Sequence, residues 1–244
     1  MRSIHDNLQA VRERIARAAL AAGRDPRGVT LLAVSKTHPA AFIEQALEAG
    51  QRAFGENYVQ EAVEKMDALA GRLGEERARA GEERTCALEW HLIGPLQSNK
   101  TRLAAARFDW VHSVESEKLA RRLSEQRPAG MAPLNVLIQV NLSGESSKSG
   151  VAPEGVAALA KAISALPNLR LRGLMAVPEP TPDSALQRLR FRQLRELLEK
   201  LPGGGDTLSM GMSDDMEAAI AEGATLVRIG TAIFGARRKI RPAA

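Results

Sequence analysis

Lys36 is the residue of this chain best suited to covalent chemistry. It follows an apolar run at 29–34, and a neutral lysine amine attacks a carbonyl carbon to form a Schiff base. With an ordinary pKa of about 10.4, only about four lysines in ten thousand are neutral at pH 7, so partial burial or a neighbouring cation such as Arg228 must lower that pKa. The other interpretation, a solvated surface lysine, stays open at this point.

Two loops rich in glycine and serine, at 209–215 and 227–235, have the chemistry of a phosphate site. Ser213 offers a hydroxyl group at a predicted helix start, and Gly230 and Thr231 can present backbone N–H groups to an anion. Glycine and serine also dominate ordinary turns, so either loop alone is weak support. Two such loops near the end of the chain favour an anion site.

These residues converge only if the elements before them form a suitable scaffold. Short apolar runs alternate with helical patterns, which is typical of β/α units in a parallel sheet. Eight such runs in 244 residues predict an α/β fold of the (β/α)8 TIM barrel type, with a doubly wound open sheet as the alternative. In a barrel the residues after the strands share one pocket. The predicted strands are 29–34, 52–54, 88–93, 110–114, 135–141, 170–176, 207–210 and 225–229.

Helical patterns lie between these strands, and an extra helix precedes the first one. Asp214 with Glu217 has the form of a capping box, and Gly50 and Gly223 stand just past helix ends. The charged segment 71–84 is predicted to extend one helix and its loop on the surface. The predicted helices include 40–49, 58–70, 116–126, 153–166, 183–201 and 214–222.

Composition narrows the class of protein. A chain of 244 residues is long enough for one core, and we expect a single domain over 1–244. We find no signal-peptide pattern and no apolar run of membrane-spanning length, so we expect a protein of the cytoplasm with no membrane partner. Cys86 is the single cysteine, which excludes an internal disulfide and fits a reducing compartment. No metal site is expected.

The net charge of +5 comes mostly from arginines on helical faces. One basic cluster stands near the carboxyl terminus, at Arg237, Arg238, Lys239 and Arg241. Aromatic residues total only 3%, and none interleaves with a basic run, so nucleic acid is a disfavoured partner. Nucleic-acid binding through the basic cluster is an alternative that predicts salt-dependent association.

A series of motifs in the chain resembles the pyridoxal phosphate homeostasis protein family, single-domain relatives of the alanine racemase barrel. The resemblance covers about residues 3–236. It therefore implies a barrel like the N-terminal domain of alanine racemase. The motifs, in order, are AVSK (33–36), FGENY (54–58), WHLIGPLQSNK (90–100), VHSV (111–114), GLMA (173–176), LSMGMS (208–213) and VRIG (227–230).

The resemblance assigns a role to six residues. Lys36 would hold pyridoxal 5'-phosphate as a Schiff base, and Arg228 would lie against the pyridine nitrogen. Asn57 would line the cofactor near the imine. The phosphate would be held by Ser213, Gly230 and Thr231.

Three further residues belong to a family motif without an assigned role: His91, Asn99 and Lys100. His91 can equally be read as a core histidine with its hydrogen bonds satisfied, and Lys100 as a surface charge.

The implied function is a carrier or regulator of pyridoxal phosphate, not an enzyme. A guanidinium has no proton to give, so the pyridine nitrogen beside Arg228 would stay unprotonated and the ring would be a poor electron sink. Similar racemases use a second base, a tyrosine reached through a second domain and a partner subunit. The sole tyrosine here, Tyr58, lies in the FGENY motif and cannot be assumed to take that role.

We therefore expect cofactor storage and delivery to apo-enzymes by a monomer. The alternative is a weak or genuine pyridoxal phosphate-dependent amino-acid racemase, and measured turnover separates the two.

Overall fold

Eight parallel strands close into a barrel in simple chain order, from β1 to β8. The computed structural model describes residues 3–80, 88–144 and 149–236, side chains of 71–80 excepted. Cys86 and the basic cluster at Arg237, Arg238, Lys239 and Arg241 lie outside those residues. The strands are β1 (Thr30–Val34), β2 (Ala53–Glu56), β3 (Glu89–Leu92), β4 (Trp110–Val114), β5 (Leu134–Gln139), β6 (Leu169–Met175), β7 (Thr207–Ser209) and β8 (Leu226–Ile229).

Closure of the barrel depends on the pairing of the first strand with the last. β1 pairs with β8 with Leu32 opposite Arg228, and with β2 on its other side. The predicted (β/α)8 barrel is therefore confirmed and the open doubly wound sheet is wrong. The carboxyl ends of all eight strands consequently open at one face.

Helices follow the strands and cover the barrel. They are α1 (Ile4–Ala21), α2 (Ala40–Glu48), α3 (Val59–Ala80), α4 (Thr101–Arg107), α5 (Glu117–Gln126), α6 (Val156–Ser164), α7 (Ser184–Glu199), α8 (Met216–Ala221) and α9 (Thr231–Phe234). Within the described ranges, none of these helices has the length and apolarity needed to cross a membrane.

Side chains of β1 alternate between two apolar regions, as the period of a β-strand requires. In β1, Leu31 and Ala33 pack in the main core between sheet and helices. Leu32 belongs to a separate cluster with Ala53 and Leu226, so it faces the barrel axis. Arg228, its partner in register, faces the axis as well.

The extra helix α1 is confirmed and begins at a capping box. Ser3 Oγ accepts a hydrogen bond of 3.0 Å from the backbone N–H of Asp6, and the Asp6 carboxylate accepts one from the Ser3 N–H. Buried apolar residues recur along one face of the helix, which packs against α2, α8 and α9. A strong cap and a continuous apolar stripe explain why this helix forms beyond the barrel repeat.

Several predicted boundaries move. β2 starts one residue later than predicted and runs to Glu56. The prediction missed Glu56 because this residue is charged, and its burial depends on an ion pair that a search for apolar residues does not find. Helix α3 continues past 70 to Ala80, which agrees with the predicted extension of one helix into segment 71–84. Helix α4 and the short helix α9 were absent from the predicted set.

The predicted capping box of Asp214 and Glu217 is wrong. Helix α8 begins at Met216 with Asp215 as the preceding residue, and no side chain caps it. Glu217 instead binds Arg14 from α1 at 2.8 Å, which removes it from the capping role. The predicted glycines past helix ends are confirmed, with φ of 79° at Gly50 and 102° at Gly223.

Candidate functional site

A cavity of about 560 Å³ opens at the carboxyl ends of the strands. Its wall comes from residues that follow β1, β2, β3, β7 and β8, together with side chains of β5 and β6. The structure brings together all six residues predicted to bind a cofactor. They are Lys36, Asn57, Ser213, Arg228, Gly230 and Thr231.

Lys36 stands in the turn that leaves β1 and is half-buried at the cavity wall. Partial burial is what the sequence analysis required of a reactive lysine. The next residue, Thr37, has φ of 64°, a left-handed conformation that a β-branched residue adopts only when its surroundings hold it there. The lysine is therefore carried by a turn with a defined and strained shape.

Arg228 supplies a buried cation to the floor of the cavity. Its guanidinium donates to Ser209 O at 2.6 Å, Ser209 Oγ at 2.7 Å and Ala176 O at 2.8 Å. All three acceptors are neutral. Burial lowers the pKa of Arg228 to about 10, a change that the Asp215 carboxylate opposes. The side chain remains charged at neutral pH, and its charge is available to a group in the cavity.

Below Arg228, a chain of polar side chains continues along the barrel axis. Ser209 Oγ lies 3.0 Å from His112 Nδ1, and His112 Nε2 lies 2.9 Å from His91 Nδ1. Burial holds the pKa of His112 well below its usual value and also lowers the pKa of His91, against the opposing effect of Glu89. Both rings are therefore neutral at physiological pH, and they fix the Ser209 hydroxyl that accepts from Arg228.

His91 thus lies beneath the cavity and near the amino ends of the strands. Its ring stacks on Trp110 with 5.2 Å between centroids, and its Nε2 is 3.4 Å from Glu89 Oε2. The two atoms are within ion-pair distance, but no well-aligned hydrogen bond connects them. The interpretation of His91 as a core histidine agrees with its burial and with the hydrogen bond of its Nδ1. The hydrogen-bonding capacity of its Nε2 is not fully satisfied.

The buried histidines make stability depend on pH. A histidine that is neutral when folded takes up a proton in the unfolded chain below about pH 6.5, so its contribution is complete above that pH and is lost as the pH falls toward the lower folded-state pKa. We expect the free energy of unfolding to fall by up to about 1.4 kcal/mol per pH unit for each histidine. In His112→Asn this fall should be smaller.

Urea unfolding of both proteins at about pH 7.5 and pH 5.5 measures this difference. His5→Asn, at an exposed position of α1, is the control and should keep the slope of the unaltered protein. Buried carboxyl groups such as Asp109, whose pKa is raised by burial, act in the opposite direction, so the variants must be compared at matched pH. Equal slopes for His112→Asn and the unaltered protein would contradict the prediction.

The loop after β7 places Ser213 at the cavity. Gly211 has φ of 92°, and an added Cβ there would lie 2.6 Å from Ala219 Cβ, so only glycine fits this approach to α8. Asp215 Oδ1 accepts a 2.6 Å hydrogen bond from the N–H of Met212, which closes the loop. Ser213 is thereby presented half-buried at the wall.

The loop after β8 leads directly into α9. Thr231 is the first residue of this short helix, and Gly230 precedes it. The N–H groups of Ile233 and Phe234 already donate to Gly230 O, so the N–H groups of Gly230 and Thr231 are the candidates for binding an anion at this end. The cation of Arg228 lies in the same cavity wall and adds to the attraction.

Helix α1 holds both of these loops in place, a function that the sequence analysis missed. Arg14 Nη2 donates to Ser213 O at 3.1 Å, and Asn7 Nδ2 donates to Ile233 O at 2.8 Å. These pairs are separated by about two hundred residues. No local spacing in the sequence could reveal these contacts.

Asn57 reaches the cavity from the end of β2. The loop after β3 passes so close that a Cβ on Gly94 would lie 2.4 Å from Asn57 O. Ser113 on β4 donates to Gly94 O at 2.7 Å and fixes that contact. Gly94 and Pro95 also line the cavity, as expected for residues after a strand.

Asn99 and Lys100 lie away from the described lining of the cavity. They belong to a 3-10 turn, Ser98–Lys100, before α4, where Asn99 is exposed and Lys100 half-buried. The interpretation of Lys100 as a surface charge therefore agrees with its position. The remaining wall includes Gln139, Met175 and Met212.

Known proteins are similar to this chain in fold and sequence. The sequence-family model for the N-terminal domain of alanine racemase matches residues 7–238. The pyridoxal phosphate homeostasis protein of Pseudomonas aeruginosa is 60% identical over 243 residues, with 100% of each chain covered. The protein of that name from Escherichia coli K12 is 53% identical over 240 residues, which cover 97% of this chain and 98% of that protein.

A solved structure extends the comparison. PipY of Synechococcus elongatus, with PLP bound, is 38% identical with a TM-score of 0.76, over 96% of this chain and 100% of that chain. High identity along the whole length, the closed barrel and the shared family model agree. The chain belongs to the pyridoxal phosphate homeostasis protein family, whose fold is that of the alanine racemase N-terminal domain.

Proposed function

We propose that this protein binds pyridoxal 5'-phosphate and carries it within the cell, as a component of cofactor homeostasis rather than as an enzyme. The observation that carries the proposal is the meeting of an amine, a buried guanidinium and two anion-binding loops in one cavity of about 560 Å³. The names of the relatives and the bound PLP in PipY support it.

The residues fit the cofactor group by group. Ser213, Gly230 and Thr231 hold the phosphate, through one hydroxyl and backbone N–H groups. Arg228 donates toward the ring nitrogen from a position fixed by three neutral acceptors. Asn57 lines the cavity after β2, on the side of the lysine turn away from β8.

Lys36 holds the cofactor covalently. Its Nζ, when neutral, would add to the aldehyde carbon, and loss of one water would leave the C=N bond of a Schiff base. The aldehyde is the reactive group that the cofactor supplies, and linkage to Lys36 shields it from other amines. Because the reaction with water is reversible, the same bond permits release to a recipient.

Catalysis is disfavoured by the same arrangement. Arg228 cannot protonate the ring nitrogen, which leaves the ring a poor electron sink. Tyr58, a candidate for a second base, is 59% exposed at the start of α3. An acid or base on the far face of the cofactor needs a fixed position, which such exposure does not provide.

Delivery to an apo-enzyme tests the function. The loaded protein is mixed with an apo-enzyme dependent on pyridoxal phosphate, together with a phosphatase that destroys free cofactor. We expect recovery of enzyme activity where an equal amount of free cofactor gives little. Recovery no better than with free cofactor would contradict the proposal. Racemase turnover comparable with that of a dedicated racemase would contradict it as well. The proposed recipients are cytoplasmic, and the proposed acting form is a monomer.

Ser213→Ala should weaken cofactor binding if its hydroxyl bonds the phosphate. Removal of one hydrogen bond to a charged group costs about 1 to 3 kcal/mol of binding free energy. Calorimetric titration with the cofactor measures this change. Ser184→Ala, at an exposed position on α7, is the matched control and should bind as the unaltered protein does. An unchanged affinity in Ser213→Ala would remove this residue from the site.

A further inference from the structure

A buried ionic cluster lies behind the turn that carries Lys36. It consists of Lys65 and Glu61 on α3 and Glu56 on β2. Lys65 Nζ donates to Glu56 Oε1 at 2.7 Å, to Glu61 Oε1 at 2.6 Å and to the backbone oxygen of Ser35 at 2.8 Å. All three hydrogens of the ammonium group are therefore used, and one of them fixes the backbone directly before Lys36.

The cluster holds both residues that flank Lys36. Ser35 Oγ donates to Glu56 Oε1 at 2.7 Å, and the N–H of Thr37 donates to Glu61 Oε1 at 2.5 Å. Thr37 is the residue with the left-handed φ of 64°. A charged acceptor at its N–H is a physical reason for this strained conformation to persist.

Stability alone is a poor explanation for this cluster. The side chain of Glu56 is 0% exposed and that of Lys65 is 8% exposed, so both charges lose their hydration on folding. Buried ion pairs often contribute little net stability compared with apolar side chains of similar volume, because desolvation offsets their attraction. Burial also raises the pKa of Glu56, and the ammonium group of Lys65 opposes that rise.

We propose that Lys65, Glu56 and Glu61 are positioning residues that hold the Lys36 turn in the shape that presents its amine to the cofactor. The inference rests on the proposed function and goes beyond it, because none of the three belongs to the described wall of the cavity. They act through Ser35 and Thr37. Their removal should therefore impair imine formation while leaving the phosphate and ring contacts intact.

Glu61→Ala is the first test, since Glu61 is the most exposed member of the cluster at 27% and its loss should leave the fold intact. We expect imine formation with pyridoxal phosphate, followed by its visible absorption, to be about tenfold slower or weaker, the effect of losing one charged hydrogen bond. Glu61→Gln keeps an oxygen for the Thr37 N–H and should restore most of the imine. Glu64→Ala, exposed on the same helix, is the control.

Ser35→Ala is a second and nearly isosteric variant, which breaks only the bond to Glu56. Its imine formation should fall by about threefold, or less than that of Glu61→Ala. If Glu61→Ala forms the imine at the unaltered rate and extent, the proposed role of Glu61 is overturned. The same result for Ser35→Ala would overturn the proposed role of Glu56.

A background without the lysine separates positioning from general damage to the cavity. Lys36→Ala and Lys36→Ala/Glu61→Ala should bind the cofactor non-covalently with equal affinity. A further loss in the double variant would overturn the inference, because Glu61 would then support the whole cavity. Absence of any Lys36 adduct in the unaltered protein would instead overturn the proposed function itself.

Discussion

Replacement of Lys36 by alanine is expected to abolish the imine and leave a weaker complex held by the phosphate loops. Lys36 is the one lysine that the described part of the chain places in the cavity wall, so the covalent bond should disappear with its amine. The proposed contacts of Ser213, Arg228 and Thr231 with the cofactor would remain. We expect the dissociation constant to rise by roughly a hundredfold, which corresponds to about 3 kcal/mol. Visible absorption reports the imine, and calorimetric titration reports the remaining affinity.

The control for this prediction is another lysine on the same barrel. Lys118, exposed on α5, lies outside the cavity wall, and Lys118→Ala should keep both the imine and the affinity. An imine band of normal intensity in Lys36→Ala would show that a different lysine reacts. Complete loss of binding would show that the phosphate loops do not anchor the cofactor by themselves.

The second large effect is expected at Arg228. In Arg228→Met the apolar side chain fills a similar volume, but Ser209 O, Ser209 Oγ and Ala176 O each lose the hydrogen bond from the guanidinium, and Ser209 O keeps one from the N–H of Ala176. Each lost hydrogen bond to a buried acceptor costs about 1 kcal/mol or more. We expect the free energy of unfolding to fall by about 3 kcal/mol and cofactor affinity to fall as well. Urea unfolding and titration measure the two effects.

Arg170→Met provides the matched comparison, because Arg170 is an exposed arginine on β6 of the same barrel. Its stability and affinity should change little, as for most surface substitutions. If Arg228→Met unfolds at the same urea concentration as Arg170→Met, the hydrogen bonds of Arg228 contribute nothing measurable. The buried cation would then need another explanation.

The barrel could be predicted from the sequence because parallel strands covered on both faces are short apolar runs. β4 was predicted with its observed bounds, Trp110–Val114, and all five of its residues are buried in the structure. The predicted boundary was wrong where a polar residue is buried by a charged partner on another element. Glu56 is the clearest example, since its partner Lys65 lies on the next helix.

The cavity wall could be predicted for a topological reason. Lys36 and Thr231 are about two hundred residues apart, yet both follow strands whose carboxyl ends open at one face. Once the strand count indicates a barrel, every residue after a strand becomes a candidate. The proposed roles of individual residues came from the family resemblance and not from this topology.

The supporting contacts could not be predicted in the same way. His112 and Ser209 lie within strands, and only the closed barrel places the imidazole beside the hydroxyl that accepts from Arg228. Arg14 reaches Ser213 O from a helix outside the barrel repeat. The pair Glu61 and Lys65 has the visible spacing of a helical ion pair, but that spacing is common on solvated faces and does not indicate burial.

The most direct test is to trap the cofactor on the unaltered protein. Pyridoxal phosphate is added, the imine is reduced with borohydride, and the modified peptide is identified by its mass. The account predicts an imine band before reduction and one adduct, on Lys36. No adduct, or adducts distributed over exposed lysines such as Lys118, would contradict the proposed cofactor site.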